Sequence, residues 1–174
     1  MDNPTLILLT VDRRLDHEVP LVLYGRSAVC LGFNDPPPET AKTQDVDAVI
    51  SFTQSKDWES DIGFWDAVEG ANAELAAQGL YMTHLFSETE VFLRQEWCDH
   101  ILPVAHPAVR WIRLSRLATV DLILTKMMRG NDPQDMADAE FRIRHDRISE
   151  AQLIEAFAQM KPIGDTGAKL AAVT

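Results

Sequence analysis

Two carboxylates one residue apart, Asp45 and Asp47, open the apolar run of "TQDVDAVISF" (43–52). Side chains alternate along a strand, so both acids point to one face, about 7 Å apart along the chain. Acids held so close repel and raise each other's pKa. A divalent cation relieves that repulsion. Hard oxygen ligands in this number suit Mg²⁺ or Mn²⁺, which complete their shell with water and substrate phosphates. Upstream, "LVLYGRSAV" (21–29) reads as a strand, a glycine and a helix start. A helix beginning after Gly25 would turn free backbone N–H groups outward, with Arg26 and Ser27 in its first turn. That arrangement receives phosphate. Phosphate-binding groups beside metal ligands ask for the same substrate. The competing explanation is a solvated strand start at Asp45 and Asp47 and a plain tight turn at Gly25.

The elements that must position these groups follow from periodicity and punctuation. Thr5 to about Asp16 predicts a helix with Ile7, Leu8, Val11 and Leu15 on one side. "PLVLYG" (20–25) predicts a buried strand and 26–33 a short helix. The three consecutive prolines within 34–44 exclude regular structure there. A second strand occupies 47–52. Ile62, Trp65, Val68, Asn72 and Leu75 recur at helical spacing over 61–79, and Gly79 ends that helix. Strands are expected at 80–86 and 90–94, and short ones at "ILPV" (101–104) and "RWIRL" (110–114). Ser115 is expected to cap a helix to about Arg129. Asp132-Pro133 opens the next helix, and Ser149 with Gln152 forms a capping box for a last one, to about Met160. The tail after Lys161 reads as loose. Strands mixed with helices, then helices in succession, predict an α+β fold: a mixed sheet flanked by helices, with a helical C-terminal part at about 115–160, in one domain spanning 1–174.

Composition narrows the function classes. The chain has 174 residues, 46% hydrophobic and 25% charged, with 16 basic and 27 acidic side chains and a net charge of −11. A general nucleic-acid surface would need a basic field, so none is expected. No apolar run approaches the roughly 18 residues of a membrane span. The N-terminus lacks the pattern of a secretory signal. Cys30 and Cys98 stand outside any C-x-x-C pattern and read as reduced thiols of a cytoplasmic protein. His84 is expected to be buried and satisfied, and the four tryptophans to serve the core or an interface.

The chain resembles the nucleotidyltransferase superfamily, the fold shared by DNA polymerase beta, aminoglycoside nucleotidyltransferases and toxin–antitoxin nucleotidyltransferases. The resemblance rests on "VLYG" with Gly25 and Ser27, on "TQDVDAV" with its Asp-x-Asp, and on "VDLILTKMMRGNDPQDMADAEFRI" (120–143), which carries Lys126, Arg129, Asp135 and Asp138. It covers roughly residues 20–145. It implies transfer of a nucleoside monophosphate from an NTP to an acceptor. Asp45 and Asp47 would bind Mg²⁺ or Mn²⁺, Gly25, Arg26 and Ser27 would meet the phosphates, and Lys126 would add a cation. The sequence departs from the pattern in three places. Arg26 stands where Ser or Gly is usual. A long proline-containing loop separates Gly25 from Asp45. The strand 80–86 lacks the third carboxylate of catalytic members. Glu90 and His84 are the stand-ins, and Glu90 is preferred because Mg²⁺ favours oxygen over imidazole. The alternative is a catalytically degenerate member that binds a nucleotide or a protein partner, as in a toxin–antitoxin pair. The sequence is also compatible with a homodimer.

Overall fold

The computed structural model describes residues 1–106, 108–127, 130 and 132–160. Their order is α1 (Asn3–Asp12), β1 (Val19–Tyr24), α2 (Gly25–Gly32), β2 (Asp45–Ile50), α3 (Ser55–Ser60), α4 (Ile62–Leu75), β3 (Tyr81–Ser87), β4 (Leu102–Pro103), β5 (Ile112–Arg116), α5 (Thr119–Met127), α6 (Pro133–Asp146) and α7 (Glu150–Ala158). The architecture is α+β. One five-stranded sheet has the order β3-β2-β1-β5-β4. It is mixed: β1 runs antiparallel to β2 and parallel to β5, β2 is parallel to β3, and β4 is antiparallel to β5.

Alternation divides the central strands by chemistry. Leu21, Leu23, Val46 and Ala48 are buried in the main core with Ile7, Leu8 and Val11 of α1 and Phe64 and Ala71 of α4. Tyr24 pairs with Asp47 in the β1–β2 ladder, so these two share the opposite face with Asp45. The two aspartates therefore interrupt the alternation on the other face, where Val49 farther along β2 still packs into the core. Among the described residues no helix is long and apolar enough to cross a membrane.

Several boundaries differ from the sequence expectation, each for a physical reason. α1 starts earlier, at Asn3, because the Asp2 carboxylate accepts the Thr5 N–H at 2.8 Å. It stops at Asp12, whose side chain is used elsewhere. Asp12 Oδ1 accepts the backbone N–H groups of Trp111 (2.7 Å) and Ile112 (2.8 Å), and Oδ2 accepts that of Arg110 (2.9 Å). One carboxylate thereby ties the end of α1 to the start of β5. β2 includes both aspartates from its first residue.

The proline loop holds one short 3-10 helix, Pro38–Lys42, with proline in the first turn where no donor is needed. Residues 90–94 form no strand. The Glu90 carboxylate takes the Ser87 N–H at 2.7 Å, and Asp121 takes both the backbone N–H and the guanidinium of Arg94. Side-chain acceptors have replaced ladder partners there. Ser115 lies inside β5 rather than capping a helix, because β5 is drawn into the sheet beside β1, and α5 starts at Thr119. The expected end of α5 at Arg129 and the tail after Lys161 lie outside the described residues. The caps at Asp132 and Ser149 form as expected, the latter as a capping box with Gln152.

Asp12→Ala leaves three backbone donors without their acceptor, each worth roughly 1–3 kcal/mol when buried. The expected loss is about 3 kcal/mol or more by denaturant unfolding. Asp12→Asn keeps one oxygen for Trp111 and Ile112 and should lose distinctly less.

Candidate active site

The site is built where β1 gives way to α2. Gly25 sits at φ +69°, a conformation that side chains with a Cβ rarely adopt. A Cβ placed on it would lie 2.9 Å from Asp47 Oδ2. The turn and the second aspartate of β2 are thus in direct contact, a consequence of the Tyr24–Asp47 pairing one residue earlier. Both line a cavity of about 710 Å³ that also takes in Arg26, Asp45, Glu90 and Lys126. Tyr24 and Phe86, packed edge to face at 5.5 Å, form an aromatic part of its wall. Of the residues singled out from the sequence, Ser27, His84, Asp135 and Asp138 are not among its lining; Ser27 lies beneath the turn. It is 1% exposed, and its hydroxyl donates back to the Tyr24 carbonyl at 3.1 Å, closing the turn from inside.

The two carboxylates have different surroundings. Asp45 accepts the Thr43 hydroxyl at 2.9 Å. Asp47 accepts the Thr83 hydroxyl at 3.1 Å. Burial, and then repulsion from Asp45, push the Asp47 carboxyl up to about 6, against the opposing pull of Thr83, Lys126 and His84. β3 supplies no third acid. Val46 pairs with Met82 and Ala48 with Leu85, so two residues, Thr83 and His84, oppose the single Asp47. Thr83 turns its hydroxyl to the aspartate. His84 is exposed, contrary to expectation, and packs its ring on Phe86 at 4.1 Å. It is one of the two residues at the register break, while its ladder-paired neighbours Met82 and Leu85 are buried. Glu90 lines the cavity while its carboxylate holds the Ser87 N–H.

Two cations of the cavity, Lys126 and Arg26, are already partnered. Lys126 Nζ donates to Asp135 at 2.7 Å and lies 3.2 Å from Asp138. Arg26 donates to both oxygens of Asp138, at 3.1 and 3.2 Å. Behind them lies Arg142, fully buried, whose guanidinium donates to the carbonyls of Leu122 (3.0 Å) and Gly25 (3.1 Å). Sequence reasoning singled out Asp135 and Asp138 but missed Arg142. The spacing 135, 138, 142 marks one face of a helix, and a buried polar face was legible there. Thr83 carried no local signal.

Among the described residues no group of three or more His, Cys, Asp or Glu side chains converges as a metal set. The Asp45–Asp47 pair remains, and Mg²⁺ characteristically takes only one or two protein carboxylates. The donor set fits such an ion: oxygen only, one acid desolvated beside another, facing a cavity with room for further ligands. Comparison of the chain with family models, with curated proteins and with solved structures gives no match.

The raised pKa of Asp47 carries a stability signature. Its folded value lies above its unfolded value of 3.8, so its stabilising contribution is full below about pH 4 and is lost as pH rises through about 6. Measured as a difference from Asp47→Asn, which cannot ionise, wild type should lose up to about 3 kcal/mol between those limits. Asp47→Asn should therefore melt higher than wild type at pH 8 and about level with it at pH 4.

Proposed function

We propose that the cavity is a metal-dependent nucleotide site of nucleotidyltransferase type, in which an NTP gives up its nucleoside monophosphate to an acceptor. The observation that carries this reading is the contact between Gly25 and Asp47. A strand–glycine–helix turn able to receive phosphate lies directly against one of two paired carboxylates, on the face of the sheet that opens to the cavity. The order of elements, β1–α2–β2 and later β3, supports the resemblance drawn from the sequence.

In this reading Asp45 and Asp47 hold the cation. A bound Mg²⁺ or Mn²⁺ supplies charge neutralisation for the triphosphate and Lewis acidity for in-line displacement. The backbone at Gly25 and the guanidinium of Arg26 meet the phosphates, and Lys126 adds positive charge from α5. Tyr24 and Phe86 give the nucleoside an apolar wall. The acceptor oxygen attacks the α-phosphorus, the bond to the β-phosphate oxygen breaks, and pyrophosphate leaves. The acceptor proton passes to a base. Glu90 is the carboxylate in the cavity wall able to take it, once it gives up the Ser87 N–H.

A second reading, nucleotide binding without transfer, has its own observation. The place on β3 beside Asp47 is filled by the Thr83 hydroxyl rather than by a carboxylate. A nucleotide-sensing or partner-binding module would keep the cation pair and dispense with the base.

Mg²⁺ or Mn²⁺ should raise the melting temperature of wild type, and the Asp45→Asn/Asp47→Asn double variant should remain folded and lose that shift. Equal shifts in both would remove the aspartates as ligands. Incubation with labelled NTPs, alone and with cell lysate, separates the two readings. Transfer abolished by Asp47→Asn and lowered by orders of magnitude in Glu90→Gln, with His84→Ala little changed, supports the enzyme. Calorimetric binding without transfer under any condition supports the binder, and absence of both defeats the two together. Thr83→Asp adds a third carboxylate beside Asp47 and should tighten Mn²⁺ binding about tenfold or more.

A further inference from the structure

Arg142 joins three parts of the site from one buried position. Its Nη2 donates to the carbonyl of Gly25, at the turn that touches Asp47. Its Nη1 donates to the carbonyl of Leu122, one helical turn before Lys126 on α5. Asp135 and Asp138, on its own helix face, hold Lys126 and Arg26 and lie close enough to favour its charge. Among the described residues its Nε has no hydrogen-bond partner. Burying a charged group with a donor unsatisfied is costly, and an apolar side chain of similar volume would fill this space at lower electrostatic cost. What the guanidinium adds is direction. Its fork fixes two carbonyls from two different elements in one plane.

We propose that Arg142 is the positioning residue of the site: it sets the Gly25 turn against Asp47 and in register with the α5 segment that carries Lys126, and so governs how tightly the aspartates hold their cation. This rests on the nucleotide-site reading for its ligand, but the placement of the turn is measurable without any ligand.

The variants are Arg142→Lys, which keeps the charge near Asp135 and Asp138 but gives up the fork, and Arg142→Met, which gives up both. Arg116→Lys is the control. Arg116 is also buried and also donates to two carbonyls, of Gly32 and Leu117, but does not touch Gly25. Amide hydrogen exchange at Ala28 and Val29, the first amides bonded back within α2 to Tyr24 and Gly25, followed by NMR, reads the turn. Calorimetry with Mn²⁺ alone reads the aspartates, on the full chain in each case.

Arg142→Lys should speed exchange at those two amides about tenfold beyond any global change. It should also weaken Mn²⁺ binding about 10- to 100-fold, the effect usual for groups behind metal ligands. Arg142→Met should weaken it further, and Arg116→Lys at a matched loss of melting temperature should alter neither readout. If Arg142→Met does not fold, Arg142→Lys against Arg116→Lys decides the question. Exchange at Ala28 and Val29 no faster in Arg142→Lys than in Arg116→Lys overturns the proposal. Wild type that takes up no Mn²⁺ overturns the nucleotide-site reading instead, and the exchange data still judge the positioning.

Discussion

The absence of a side chain at residue 25 is the constraint on which the site depends. The β1–β2 ladder pairs Tyr24 with Asp47 and so delivers the next residue against the aspartate carboxylate. A Cβ there would meet Asp47 Oδ2 at 2.9 Å, and φ is +69°. Sterics and backbone conformation thus both require glycine at this point. Given that contact, α2 leaves the sheet beside the two acids, and its first turn opens to the same cavity. With any other residue the turn would stand off, and the helix would start elsewhere.

Around this contact the charges are arranged as a closed ledger of their own. Arg26 and Lys126 face the cavity, yet each is tied to Asp138, and Lys126 also to Asp135. Paired and hydrogen-bonded charges tolerate burial that single ones do not. The acids of α6 therefore let two cations stand at the cavity wall without the field of a basic surface, in a chain whose net charge is −11. Among the described residues Asp47 has no such cationic partner within hydrogen-bonding distance. Its carboxyl is held near 6 by burial and by Asp45, which makes it the least comfortable anion in the site. That discomfort is what a cation would relieve.

The local parts of this arrangement were legible in the sequence. Gly25 before a helix, the Asp-x-Asp opening a strand, the Asp132-Pro133 start and the Ser149/Gln152 capping box each depend on residues a few positions apart, and each formed. The failures came from contacts between distant segments. Ser115 resembles a helix cap, but pairing with β1 makes it a strand residue. Residues 90–94 have strand composition, but Asp121 claims the backbone of Arg94. The helix over 61–79 was found, and its face was read in part: Val68 and Leu75 are buried, but Ile62 is 71% exposed while Phe64 is fully buried. In the site, Thr83 reaches Asp47 only because β3 carries an extra residue opposite β2, and Arg142 reaches Gly25 across a separation of 117 residues. Neither contact could be read from spacing, although the shared helix face of 135, 138 and 142 could.

The tie between Asp12 and the start of β5 has a bearing on how the chain is made. β1 lies between β2 and β5 in the finished sheet, and its parallel partner is synthesised some ninety residues after it. Until then one edge of β1 has no neighbour, and the Asp12 carboxylate lacks the three amides that will fill it. At about 5–20 residues per second, a nascent chain would wait roughly 5–20 s in that state. Parallel pairing at such separation is also slow to form. The interval on the ribosome, rather than the finished protein, is when this sheet is most open to pairing with the wrong strand.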